Sequence, residues 1–505
     1  MSIQNFIILL PEIFFITMTV FAMILGLFFN KIPKNNDTQY NTNIVSWSII
    51  YSLFICLIIN YVNITSLMCY NSQIISANFN ATIKIVISLS VIGTLILSLK
   101  YNKDDNILAY EYSLVIALAS IGMFLLVSSF DFLTLYLSLE MQTLCLYILI
   151  AINKNSDNSL EASLKYLLLS AFSSGLLLFG VTIIYGFVGS LSFDVINQII
   201  IANLSAIQED NIILNLMQQY INFIYIGIVF ISIGLFFKIN AVPFHMWVPD
   251  VYEGASLTVT NFFATAPKVA YFSILLTLIY GPFVGFFFNY NIINGSTLII
   301  VAVLCSLSVG IYSAIYQKKI KRLIAYSAIA NIAFVLLGIL SGVLSGIDNI
   351  LTFLIIYNIT QILLFQILAA IGNKNIKVKY INDFAGVIKI NPILCSTILL
   401  VLLSIAGVPP FAGFYAKINI ILSIIEKNYF FLSMYALVAS IISTFYYIRI
   451  AKISLFDKLG TLSFHKSMYK ESSINLALGS IFLSLLISKP QYLYYFLNYA
   501  TQTFI

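Results

Sequence analysis

Residues 234–272 read GLFFKINAVPFHMWVPDVYEGASLTVTNFFATAPKVAYF. Two lysines, Lys238 and Lys268, stand in otherwise apolar stretches on either side of a segment interrupted by Pro243 and Pro249. A charge at the centre of a lipid-spanning helix costs about 2.5–3.5 kcal/mol on insertion scales, so a chain that keeps several such charges is expected to use them. Lys238 and Lys268 are therefore the first functional candidates.

The surrounding composition says why those stretches lie in lipid. Of 505 residues, 61% are hydrophobic and 9% charged, whereas soluble domains carry about 25% charged residues. The chain reads as an all-α, polytopic membrane protein, because its apolar runs have the length of helices rather than the short alternating segments of a barrel. Apolar windows give about fourteen transmembrane helices, from 6–29 to 474–497, including 222–247, 255–280 and an overlong 392–424. The N-terminus is apolar too early and for too long for a cleaved signal, and reads as the first span. The long connection at 190–220 is expected to hold a short helix at the membrane surface.

The net charge of +6 could suggest a nucleic-acid partner, but the basic residues sit in short loops. Counted alternately, those loops put nearly all of them on one side, including Lys318, Lys319, Lys321 and Arg322; the other side keeps only Lys427 and Lys489. The positive-inside rule then makes the rich side cytoplasm or mitochondrial matrix and turns both termini to the opposite compartment. The five cysteines and two histidines show no metal-ligand spacing, and no Gly-rich phosphate loop is present, so the chain itself is expected to bind no cofactor and no metal.

Four ionisable residues lie deep in spans: Glu140, Lys238, Lys268 and Lys417. Burial disfavours a charged amine and a nearby carboxylate restores it, so a lysine whose acidic partner approaches or recedes can hold or release a proton. Glu140 is read as that partner for Lys238, Lys268 as a relay and Lys417 as the far exchange site; a static Glu140–Lys238 pair is the alternative. Polar stripes at helical spacing accompany them: Tyr136, Glu140, Thr143 and Tyr147; Asn261, Thr265 and Lys268; Tyr357 and Gln361; Ser440, Thr444 and Tyr447. Each could line water or simply tie helices together. Lys165 is a possible further proton-transfer residue, or one that snorkels from a span end like Lys84, with Glu12 similarly shallow. Asp250 and Glu253 read as loop structure, and the basic run at Lys318–Arg322 as a loop anchor.

Pro243 after Lys238, and Pro409 and Pro410 before Lys417, predict two broken helices, because proline removes a helix donor. Freed backbone groups at that depth must line a cavity or be buried in protein. Two such breaks fit inverted repeats of five helices each, five being odd. The division is an N-terminal three-helix segment 1–108, a first repeat 109–295, an inverted second repeat 296–456 and a C-terminal helix 457–505.

FKINAVPFHMWVPDVYEGA, TAPKVA, KRLIAYSAIANIAFVLLG, SIAGVPPFAGFYAK and the opening LPEIFF together resemble subunit 2 of respiratory complex I, the NADH-quinone oxidoreductase subunit N family. The resemblance spans most of the chain. It implies that Glu140, Lys238, Lys268 and Lys417 match the family's functional fifth-, seventh-, eighth- and twelfth-helix residues, and Lys165 its sixth-helix lysine. It also implies a subunit of H+-translocating NADH:ubiquinone reductase with no redox chemistry of its own. NADH, FMN, iron-sulfur clusters and ubiquinone belong to the parent complex, whose quinone reduction would drive proton movement here. The implied partners are other membrane-arm subunits, including antiporter-like neighbours, and lipids, with no nucleic acid. The bias toward Ile, Asn, Phe, Tyr and Lys favours the mitochondrial inner membrane over a bacterial plasma membrane. Where relatives often carry histidine in the tenth helix this chain has Asn331, which cannot exchange protons and is left out of the path. A cation/proton antiporter subunit and a non-conducting structural segment are the alternative functions.

Overall fold

In the computed structural model the described residues are 8–30, 37–62, 67–69, 73–104, 110–206, 212–288, 295–342, 344–372, 378–457 and 470–501. An N-terminal group holds α1 (Leu10–Asn30), α2 (Asp37–Val62) and α3 (Asn78–Asp104), with a small hairpin of Leu67–Cys69 and Ile74–Ser76 between the last two. Then follow α4 (Glu111–Ser128), α5 (Phe132–Ile150), α6 (Asp157–Val188), α7 (Phe193–Ala206), α8 (Ile212–Ile239), α9 (Trp247–Gly254), α10 (Leu257–Ala264), α11 (Ala266–Tyr280) and α12 (Val284–Phe288). The second half has α13 (Gly295–Tyr316), α14 (Ile320–Ile339), α15 (Leu344–Ile371), α16 (Val387–Ile390), α17 (Pro392–Ala406), α18 (Ala412–Ile425) and α19 (Phe430–Phe456). The chain closes with α20 (Lys470–Ser488) and α21 (Gln491–Thr501).

Among the described residues thirteen helices are long and apolar enough to cross a membrane, and α17 with α18 form a further crossing in two pieces. The all-α fold and the fourteen crossings expected from the sequence are therefore present. Five crossings run from α4 to α11 and five from α13 to α19; the fourth of each is the broken one, α8–α9 and α17–α18. An odd number inverts the second set. Local chemistry sets the ends. The Asp131 side chain accepts from the Leu133 amide at the start of α5, Asn391 accepts from Leu394 ahead of Pro392 at the start of α17, and Gly189, with φ +73°, closes α6.

Burial is graded from the middle outward. In the most apolar window of Leu257–Tyr280, 94% of residues are buried, against 17% in that of Lys470–Ser488. The outer helices leave many leucines, isoleucines and phenylalanines exposed, a surface that contact with water would disfavour. Lipid provides no hydrophobic drive between helices, so close packing must hold them. Between α6 and α8 it is backbone-close: a Cβ on Gly180 would sit 2.6 Å from the Gly227 carbonyl oxygen, while one on Gly175 would meet nothing within 4 Å.

Several boundaries differ from the sequence reading. A short helix does form within 190–220, as α7, and α8 begins at Ile212, ten residues ahead of the expected span start. The single expected C-terminal helix is two, α20 and α21, because Pro490 between them has no amide to continue the ladder. A third interruption, beyond the two expected, falls at Thr265 between α10 and α11, with Pro267 in the first turn of α11. Glu12 and Lys84, read as shallow snorkelling residues, form a buried ion pair joining α1 to α3. α3 lies too deep in the bundle for the lysine to reach water, so a carboxylate neutralises it instead.

Removing one member of such a pair strands the other, at about 3–5 kcal/mol, whereas a matched apolar replacement is often neutral. Glu12→Leu alone should therefore lower the yield of assembled protein, and Glu12→Leu with Lys84→Met should restore it, as measured by native-gel quantitation. Gly180→Leu should likewise lose assembly by parting α6 from α8, while Gly175→Leu on the same helix should not.

Candidate functional site

The three deep lysines sit at the three helix interruptions. Lys238 is in the last turn of α8, which stops where Asn240 takes a left-handed φ of 71° and Pro243 follows through a cis bond. The groups freed by the break are answered from outside the helix. The Val242 amide donates to the Ser306 hydroxyl of α13 at 3.0 Å, and the Trp247 indole donates to the Phe237 carbonyl at 3.3 Å. The Lys238 ammonium lies 5.9 Å from the Phe237 ring centroid and has no hydrogen-bond partner among the described residues. Its charge is favoured at this helix end, where the carbonyls carry partial negative charge.

Glu140 projects from α5, where the Thr143 hydroxyl donates to its backbone carbonyl and lies 3.4 Å from Oε2; Oε1 is buried without a partner. No ion pair closes between Glu140 and Lys238 within 4.0 Å. The pair is thus apart in this conformation, with both members short of a partner.

Lys268 follows the interruption at Thr265, whose hydroxyl takes over a bond to the Asn261 carbonyl at 2.8 Å. It lies between the rings of Tyr252, 5.7 Å away on α9, and Tyr357, 5.6 Å away on α15, and makes a long 3.5 Å bond to the Tyr357 hydroxyl. Beside it is a cavity of about 10 Å³ lined also by Thr265, Asn331 and Asn358, about the room one water needs. Asn331 Nδ2 and Asn358 Oδ1 are buried without partners. The walls of this gap are apolar, and the two unpartnered amide groups lie beside it among its lining residues without opening onto it.

Lys417, on α18, reaches back across the second break. Its ammonium donates to the Ile405 carbonyl at 2.9 Å and the Ala406 carbonyl at 3.0 Å, capping α17, with the Phe334 ring centroid 5.1 Å away. Gly407 makes this possible: it ends α17 at φ +80°, and a Cβ there would lie 2.9 Å from Lys417 Cδ. Pro409 and Pro410 complete the break. Lys238, Lys268 and Lys417 are respectively 4%, 3% and 5% exposed, and none forms an ion pair within 4.0 Å among the described residues.

Lys165 stands apart from this set. It is half-exposed and pairs with Glu161 at 2.7 Å and Asp250 at 2.8 Å. Asp250 and Glu253, read from sequence as loop structure, are instead residues of α9 that tie it to neighbours. Asp250 also takes Arg322 at 3.0 Å, and Glu253 takes both Lys319 and Arg322. Burial alone would raise the Glu253 pKa, but hydrogen bonding from Lys319 and the Arg322 charge outweigh it and leave it below the usual carboxylate range. The basic run at Lys318–Arg322 therefore clamps the start of α14 to the helix that follows the first break.

The other stripes divide. Tyr357 joins the Lys268 cavity, whereas the Ser440 and Thr444 hydroxyls turn back to carbonyls of their own helix. Asn331, set aside on its chemistry, lines the cavity, and Asn358 was not singled out because it lies one position off the Tyr357 stripe.

Residues 129–443 match the family described as NADH:quinone oxidoreductase/Mrp antiporter, TM. The chain is 34% identical to NADH-ubiquinone oxidoreductase chain 2 of Marchantia polymorpha, with 97% of each chain covered. It belongs to the subunit N / chain 2 family of NADH-quinone oxidoreductases. A bacterial member, NADH-quinone oxidoreductase subunit N of Paramagnetospirillum magneticum, is 36% identical over 89% of this chain and 88% of its own. A chain in the structure of respiratory complex I from Thermus thermophilus with bound aureothin has the same fold, at a TM-score of 0.75 and 22% identity over 96% of this chain and 98% of that one. This chain is accordingly an antiporter-like membrane subunit of the family.

Gly407→Ala tests the second break. Alanine in the left-handed region costs about 1–2 kcal/mol, and its methyl would also press on Lys417. Expected is an assembled complex with reduced coupled activity, measured as NADH oxidation in sealed vesicles, with Gly175→Ala as the unaffected control.

Proposed function

We propose that this chain carries protons across the mitochondrial inner membrane as a membrane-arm subunit of NADH:ubiquinone oxidoreductase. Carrying this reading is the placement of three buried amines at helix interruptions without a carboxylate in contact, one of them beside a water-sized cavity. A buried amine changes protonation when an anion approaches or recedes. Glu140, apart from Lys238 and with one carboxylate oxygen unpartnered, would be that anion. Movement of Glu140 toward Lys238 would load the amine, and its withdrawal would release the proton toward Lys268. Rotation of the Asn331 and Asn358 amides toward the gap would let one water bridge Lys268 onward to the second repeat, and Lys417 would be the far exchange site.

The quinone reduction that drives this would occur elsewhere in the complex, with NADH, FMN, iron-sulfur clusters and ubiquinone held by other subunits. Neighbouring antiporter-like subunits and lipid would cover the apolar outer helices. The four-part division 1–108, 109–295, 296–456 and 457–505 describes the same arrangement, with both termini toward the intermembrane space. In a bacterium the setting would be the plasma membrane. Lys165, half-exposed and doubly paired, would hold helices α6 and α9 together at the membrane face, in exchange with the path only if those pairs open.

Lys268→Met keeps length and apolarity but removes the amine. With assembly verified, protons moved per NADH oxidised should fall, while NADH oxidation by detergent-solubilised enzyme with an artificial acceptor should persist. An unchanged ratio would take Lys268 out of the path, and unchanged ratios for Lys238→Met and Lys417→Met as well would leave the chain a structural segment.

A further inference from the structure

A buried carboxylate remains outside the lysine path. Asp348 is the fifth residue of α15 and 6% exposed. An ionised carboxyl so placed must be paired, hydrogen-bonded or neutralised by a proton. Among the described residues no cation lies within 4.0 Å of it; its Oδ1 accepts one bond, from the Thr501 hydroxyl at 2.7 Å. Thr501 is itself buried and belongs to the last turn of α21. A neutral hydroxyl on the closing helix is thus the partner described for this acid.

The next residue ties the same turn to the Lys417 helix. Asn349 Nδ2 donates to the Asn419 carbonyl at 3.2 Å, and its Oδ1 accepts from the Tyr494 hydroxyl of α21 at 3.4 Å. Asn419 is two residues past Lys417, about 3 Å along α18 at 1.5 Å per residue. α15 starts at the end of the bundle opposite the Lys318–Arg322 run, where α14 finishes and α18 also ends. Asp348 therefore stands between Lys417 and the lysine-poor face, under a cover made by α21. Tyr494 in that cover is within electrostatic reach of Asp348, Tyr415 and Glu426.

We propose that Asp348 is a proton-exchange residue between Lys417 and the lysine-poor face, with Thr501 and Tyr494 of α21 covering it. The idea rests on the proton-carrying reading above. An N–H bond of the Lys417 ammonium breaks and, through intervening water, an O–H bond forms on the Asp348 carboxylate. That proton then leaves to water at the face, and the carboxylate returns to the Thr501 hydroxyl. Only protons change hands, so no oxidant or other reactant is required.

The test compares Asp348→Asn, Asp348→Glu and Lys417→Met in the assembled complex, reading protons moved per NADH oxidised in sealed vesicles. Asparagine keeps the shape and an acceptor for Thr501 but cannot bind a proton at this pH, so a purely structural carboxylate would be replaced without loss. Expected is a loss of proton movement in Asp348→Asn like that in Lys417→Met, with recovery in Asp348→Glu. A loss in Lys417→Met with none in Asp348→Asn overturns the role of Asp348 and spares the lysine path; no loss in either overturns the role of Asp348 and takes Lys417 out of the path. If Asp348→Asn does not assemble, Thr501→Val decides, since it leaves the acid and removes its donor: a lowered ratio is expected, and an unchanged one overturns the proposal.

Discussion

Hydrocarbon offers no hydrogen bonds, and every interrupted helix in this protein has to answer that constraint. At the first break the freed groups turn to Ser306 and Trp247, at Thr265 a side-chain hydroxyl returns to its own helix, and at the second break Lys417 supplies the donors. These answers come from different parts of the chain. Ser306 lies in the second repeat but completes the break of the first, so the two halves are joined at the point where backbone is most expensive to leave bare. Breaking helices creates local polarity without opening the bundle to water, and the amines occupy the sites so created.

The charges away from the centre do a different job. Glu12 with Lys84 closes the N-terminal helices where neither group reaches solvent. The cluster of Glu161, Lys165, Asp250, Arg322, Glu253 and Lys319 lies at a half-exposed face, where single pairs contribute little. Its use is geometric: α9, only eight residues long, is held between α6 and α14 by both of its carboxylates. Because α9 also supplies Tyr252 to Lys268, fixing that helix fixes one wall of the lysine site.

Apolar windows were enough to find the crossings, and GVPPFAGF announced the second break because two adjacent prolines, one residue after a glycine, leave no helix to extend. The interruption at Thr265 was hidden by the same method: one proline barely alters the average over 255–280, although Pro267 stood in view. Partners separated by 66 to 85 residues give no local signal, which is why Asp250 and Glu253 looked like loop residues and Glu12 and Lys84 looked independent. Asn331 illustrates another limit. Its own chemistry argues against proton exchange, and only the neighbours brought in by α11 and α15 place its unpartnered amide beside a water-sized gap.

That gap also bears on what the proposed path could accept. Space for about one water cannot accommodate sodium or potassium together with a hydration shell, and the side chains lining it include an amine and amides but no carboxylate to replace that shell. A proton needs neither, since it moves by exchanging bonds along whatever donors are aligned. In this conformation the gap beside Lys268 therefore has no room for a charge that must be carried, whereas the proposed path asks only for one that hops.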